Sequence, residues 1–196
     1  MRNIPSFLMI LSPRTTREFA MKQSQMTAVG VNALNGVFVI TAVSMTMLSL
    51  FTGLLVAILG ILFGPLVSFT VSSIYSRMEW TVGRRLGGNA TLDDLYRIFA
   101  WSFMPLAFAY LLCRLILFVF IKPESHTIFV ELAPPLPVAL WCIWCYCSNV
   151  IALQHFTQIK GTINLVVTFL LFLVFVAGGV GFFSLLTSYG KNVFFP

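Results

Sequence analysis

Residues 84–112, RRLGGNATLDDLYRIFAWSFMPLAFAYLL, carry a charged, glycine-bearing loop directly into an apolar helix interrupted by Pro105. Gly87 and Gly88 admit left-handed backbone dihedrals and so end whatever helix precedes them. Thr91, with Asp94 three residues on, is a helix-start signature: the hydroxyl accepts an orphan backbone N–H while the carboxylate sits at the positive end of the helix dipole. From Ile98 the chain is almost wholly apolar to Ile121, and about 20 such residues cross a bilayer. Water gives way to lipid within this one stretch.

The rest of the chain is written in the same terms. Of 196 residues, 59% are hydrophobic and 9% charged, with a mean hydropathy of +0.95, against about a quarter charged in soluble domains. Apolar runs of span length recur, and in lipid their backbone groups are satisfied only within helices or a closed barrel. The runs lack the alternation a barrel demands, so the sequence predicts an all-α integral membrane protein. Its net charge of +6 flanks the apolar runs as topology signals do, and no nucleic-acid partner is expected. The apolar stretch 7–11 is too short for a cleaved signal and ends at Ser12-Pro13, so the N-terminus is expected to stay attached.

An amphipathic interfacial helix is expected within 1–27. Ser12-Pro13 marks its start, with Phe19, Met26 and the earlier aliphatics on the membrane and Arg14, Arg17 and Lys22 facing anionic head groups. The apolar tract 29–75 is too long for one span and must fold back, giving spans at about 29–49 and 54–75 with an uncharged turn at 50–53. A third span is expected at about 98–121, then a proline-rich connection over 122–137 and a fourth span at about 138–156. A very short turn at 158–161 leads to a fifth span at about 164–186. Counted by alternate sides, Arg2, Arg14, Arg17, Lys22, Arg77, Arg84, Arg85, Arg97 and Lys160 fall on one side and only Lys122 and Lys191 on the other. The positive-inside rule then puts the N-terminus in the cytoplasm and the C-terminus outside. An even number of spans would spoil that asymmetry. A single domain, 1–196, is expected.

Gly53, Ala57, Gly60 and Gly64 share one face of the second span, a small-residue seam that lets another helix approach closely, within the chain or in a homo-oligomer. Pro65 and Pro105 are expected to kink their spans. Arg114 lies well inside the third span, where an ionised side chain costs about 2.5 to 3.5 kcal/mol even on the lenient insertion scale. Its head group could snorkel, meet Thr41, Ser44 or Thr46, pair with Glu124 or Glu131, or bind a lipid head group or anionic substrate. Arg84, Arg85, Arg14 and Arg17 are the other candidates for lipid or partner contact. Gln154, His155 and Lys160 near the cytoplasmic end fit interface anchoring better than head-group binding.

Catalytic signals are sparse. Cys142 and Cys145 form a Cys-x-x-Cys on one helix face, with Cys147 pointing away and Cys113 on another span; no histidine or second pair converges on them, so packing is the better account than metal or thiol redox chemistry. Adjacent Asp93 and Asp94 fall in a first helical turn, where capping explains them. No phosphate loop, Gly-x-Ser-x-Gly or His-Glu-x-x-His occurs. No catalytic residue, cofactor or metal is assigned.

Five spans with a basic lead-in, the Gly87-Gly88 loop, and Ala100-Trp101-Ser102 with Pro105 in the third span resemble the Yip family, the Ypt/Rab-interacting protein domain of polytopic membrane proteins. Eukaryotic members are associated with vesicle trafficking, Rab GTPases and membrane shape. No long cytosolic N-terminal region is expected, and Asp94-Leu95-Tyr96 stands before the third span rather than as the family's Asp-Leu-Tyr-Gly-Pro before the first, so a Rab partner is not expected. The compact form is similar to bacterial members, some of which resemble accessory subunits of ABC-type exporters. The resemblance implies a multi-pass protein of the bacterial inner membrane that organises lipids and other membrane proteins. A small permease for an anionic or lipid-like substrate and a membrane thiol oxidoreductase are the alternatives.

Overall fold

The computed structural model describes residues 12–44, 50–120 and 136–194, except for the side chains of 40–57, 59–61, 114, 117–120, 182–183 and 185–194. Among the described residues the fold is all-α: a short α1 (Pro13–Lys22), then α2 (Gln25–Ser44), α3 (Leu50–Arg85), α4 (Leu92–Phe120), α5 (Leu136–Leu153) and α6 (Gln158–Phe194). Among the described residues, three stretches are long and apolar enough to cross a membrane: Leu92–Cys113, Leu136–Leu153 and Gln158–Gly181.

The first helix starts where the sequence marks it. Ser12 caps α1, its hydroxyl accepting the Thr15 N–H at 3.3 Å, and Pro13 occupies the first turn, where its missing donor is harmless. Thr16 and Ala20, one turn apart, bury one face, and Phe19 sits edge-on to Trp101 with ring centroids 4.7 Å apart. Arg14 and Glu18 pair at 3.0 Å on the exposed face. A second hydroxyl cap, Ser24 accepting from the Thr27 N–H at 3.2 Å, opens α2.

The interior centres on α4, which packs against α1, α2 and α5, around Val31, Leu95, Ile98, Trp101, Tyr146 and Val150. α2 runs along α3 through a close backbone crossing at Gly36 and Gly64: a Cβ on Gly64 would come within 2.9 Å of the Gly36 carbonyl. It also runs beside α4, where buried Asn35 donates to the Ala100 carbonyl at 3.1 Å. Pro105, inside α4, supplies no N–H for the Trp101 carbonyl.

α3 ends in a Schellman motif. The Gly88 N–H reaches the Gly83 carbonyl at 2.8 Å, the Gly87 N–H reaches Arg84 at 3.1 Å, and Gly87 takes φ 86°. Thr91 then caps α4: its hydroxyl accepts the Asp94 N–H at 3.2 Å and donates to the Asp94 carboxylate at 2.6 Å. α5 ends in the same motif, with Phe156 N–H on the Ile151 carbonyl, but the left-handed position is His155, at φ 56°.

Two expected turns are helix instead. Residues 158–161 form the first turn of α6, and the chain reverses at 154–157; Gly161 is small because the Ile151 side chain packs on it, not because the backbone bends there. Residues 50–53 likewise open α3, and 45–49 lie outside the described residues. Of the expected proline-rich connection 122–137, residues 122–135 lie outside the described residues and 136–137 open α5.

Large apolar side chains cover the outside, among them Leu62, Leu66, Val166, Phe169, Val174 and Val180. Packing thins toward the C-terminus: 39% of the apolar window of α4 is buried, but only 11% of that of α6. Such a surface is the inverse of a soluble protein's and suits lipid.

Candidate functional site

Along α3, Ser72, Ser76 and Glu79 follow at helical spacing and are all fully buried. An acid in that position needs a partner from another helix. Tyr146 of α5 provides it, its hydroxyl donating to the Glu79 carboxylate, while the second carboxylate oxygen has no partner among the described residues. Aromatic rings wall the pair off. Tyr146 lies 5.6 Å from Phe99 and 5.5 Å from Phe103 by ring centroids, and Tyr75 bridges Phe99 at 5.5 Å and Phe172 at 5.3 Å.

Antiparallel packing of α6 on α3, with Phe172 opposite Tyr75, sets Thr168 one turn back at the level of Glu79, and Asn164 a further turn toward Gly83. Both are fully buried, and their side-chain polar atoms lack partners among the described residues, as does Asn149 Nδ2. The result is a polar seam between α3, α5 and α6 inside an otherwise apolar bundle. It offers a sequestered carboxylate and hydroxyl and amide groups, suited to holding a proton or positioning helices. No group of three or more His, Cys, Asp or Glu side chains converges for a metal among the described residues.

At the end of the seam Gln154 acts as a plug. It is 1% exposed, accepts the Ala90 N–H at 3.3 Å, and fills the space left by Gly83 and Gly88. The sequence places it at the interface with His155 and Lys160; burial removes it from that role. His155 and Lys160 are exposed.

The residues singled out from sequence are spread over the molecule. Arg84 and Arg85 are both exposed at the end of α3, Arg84 over the Trp80 ring at 5.6 Å from its centroid. Arg14 is exposed and paired with Glu18, and Arg17 is half-buried on the same helix. Arg114 lies on the backbone of α4 with its side chain outside the described residues, as do the side-chain surroundings of Gly53, Ala57 and Gly60. Gly64 meets Gly36 of the same chain. Pro105 is half-buried. Cys142 and Cys145 are buried free thiols.

The sequence draws no attention to Glu79, which stands in the chain's most charged segment with Arg77, Arg84 and Arg85. The usable signal is its spacing from Ser72 and Ser76, a polar face on a helix that is apolar before it.

The family model of the Yip1 domain matches residues 7–180. The chain belongs to the Yip1 domain family. No curated protein and no solved structure matches it. The Yip1 match spans α1 through most of α6, so the polar seam, the Gln154 plug and both Schellman turns lie within the family's domain. As a Yip1-family protein with long apolar helices, it is a membrane protein.

Proposed function

We propose that this Yip1-family protein is a non-catalytic scaffold or accessory subunit of the bacterial inner membrane, one domain crossing the bilayer five times with its N-terminus in the cytoplasm and its C-terminus outside. Its basic cytoplasmic face, including Arg14, Arg17, Arg84 and Arg85, engages lipid head groups, and its apolar flank engages the spans of another membrane protein, an ABC-type exporter being one such partner.

The observation that carries this is α6. From Leu173 to Gly181 every residue is exposed, around the whole helix, and a Cβ on Gly178, Gly179 or Gly181 would meet nothing within 4 Å among the described residues. A small-residue patch with no neighbour lets a foreign helix pack closely, since van der Waals packing rather than water drives association in lipid. The test compares wild-type protein with a Gly178→Leu/Gly181→Leu variant by co-purification in mild detergent. Loss of an associated membrane protein in the variant supports the scaffold role; a monomer that associates with nothing overturns it.

A permease is the second reading, favoured by Glu79, a fully buried acid just past the second span, because ionisable groups that face the interior of a membrane bundle mark transport pathways. Uptake by reconstituted vesicles that disappears in Glu79→Gln would place it first.

A further inference from the structure

We infer that the chain holds a zwitterionic phospholipid, through a head group carrying a phosphate and a primary ammonium, in a cavity between the N-terminal ends of α2 and α4 and the flank of α3. The cavity measures about 170 Å³, enough for a polar group larger than one water. Its polar wall is Gln25 from α2, Ser73, Ser76 and Arg77 from α3, and Asp93 and Tyr96 from α4.

Two of these groups point to a missing ligand. Ser76 is 0% exposed and Tyr96 7%, and neither hydroxyl has a partner among the described residues. Buried donors are rarely left unmade, because an unmade bond costs about 1–3 kcal/mol. Arg77 beside them makes no ion pair: among the described residues the one pair is Arg14–Glu18. Arg77, Ser76 and Tyr96 together offer a guanidinium and two hydroxyl donors on one wall, the donor set that suits a phosphate diester.

The opposite sign is present too. Asp93 accepts from Gln25 Nε2 at 3.0 Å through one carboxylate oxygen. The second oxygen and the Gln25 carbonyl oxygen remain as acceptors, a set that suits an ammonium N–H and has nothing to offer a phosphate. A wholly anionic head group would leave Asp93 facing like charge, and a trimethylated ammonium would bring no N–H to it. Head-group discrimination follows from Asp93, and attraction from Arg77.

Apolar surface continues from the cavity in the direction acyl chains need. Val29, Phe69 and Leu92 complete its lining. Phe69, Leu66, Leu62 and Ile58 then form one exposed stripe along α3 at helical spacing. A soluble ion would have no use for that stripe; a lipid would lie along it.

This site deepens the lipid-engaging part of the proposed function and is independent of the partner surface on α6, so the Gly178→Leu/Gly181→Leu variant keeps its lipid if only the scaffold role fails. Full-length protein purified in mild detergent is mixed with phosphatidylethanolamine, phosphatidylcholine or phosphatidylglycerol of matched acyl chains, and bound lipid is counted by native mass spectrometry. Wild type is expected to retain the ethanolamine lipid about tenfold more than the other two, the scale of one charge-assisted hydrogen bond. Asp93→Asn is expected to erase that preference, and Arg77→Ala to reduce retention of all three. Asp94→Asn, which removes the same charge from the same helical turn outside the cavity, is expected to keep the preference. Equal retention of the three lipids by wild type, or equal effects of Asp93→Asn and Asp94→Asn, overturns the proposal. So does equal binding of free phosphoethanolamine, which would make the ligand a soluble one. Should Arg77→Ala not fold, Ser73→Ala and Asp93→Asn still decide it.

Discussion

Among the described residues two helix ends carry left-handed backbone, and only one has glycine there. Gly87 adopts φ 86° and His155 φ 56° in equivalent Schellman turns. A side chain in that conformation costs about 1–2 kcal/mol, so His155→Gly is expected to stabilise the protein by about 1 kcal/mol, read as a higher thermal midpoint in detergent. Gly88→Ala is expected to do the reverse for a different reason: its Cβ would enter the space of the Gln154 amide and the Phe156 ring. Gln154 would then lose its hold on the Ala90 N–H, loosening the entry to α4. A separate prediction concerns the buried acid. Tyr146→Phe removes the donor to Glu79 without changing the packing of the ring, and leaving a buried polar group without its partner costs about 1–3 kcal/mol. Stability should fall by about that amount, and Tyr146→Phe combined with Glu79→Leu should recover most of it, because replacing both polar partners is nearly neutral. Denaturation midpoints of the three proteins decide it.

At the scale of whole helices, local chemistry explains what sequence reveals and what it hides. The end of α3 and the start of α4 are legible because Gly87-Gly88 and Thr91 with Asp94 act on backbone groups a few residues away. The starts of α3 and α6 are not, because Gly53 and Gly161 look like punctuation. In the structure Gly161 makes room for Ile151 of the preceding helix, and Gly36 and Gly64 make room for each other's backbone. Glycine in lipid is as much a packing residue as a breaker, and only the fold tells which. The same holds for the Glu79–Tyr146 pair, whose members stand 67 residues apart. Gly64 supplies a test at this scale. Gly64→Val forces α2 away from α3 because the added carbons meet the Gly36 backbone. It should lower the stability of the isolated chain to the same extent at every protein concentration; a loss that shrinks as concentration rises would instead assign Gly64 to contact between copies.

For the molecule as a whole, the decisive feature is that four helix ends gather at one pole. Gln25 at the start of α2 bonds Asp93 at the start of α4, and Gln154 at the end of α5 packs on Gly83 and Gly88 at the end of α3. The α3–α4 and α5–α6 turns therefore lie side by side. In the proposed five-span topology each long helix crosses the bilayer once, and Arg77, Arg84, Arg85, Arg97 and Lys160 cluster in sequence about the same turns, so by the positive-inside rule this pole is the one proposed to face the cytoplasm. Single cysteines at Asn89 and Thr157, both exposed, introduced after replacing Cys113, Cys142, Cys145 and Cys147, separate the two claims. Both sites should resist a membrane-impermeant maleimide in intact spheroplasts and react once the membrane is opened. Reaction of both in intact spheroplasts would invert the orientation while leaving the packing intact. Reaction of one alone would place the two turns on opposite faces, contradicting the contact through Gln154, and with it the polar seam that ends there.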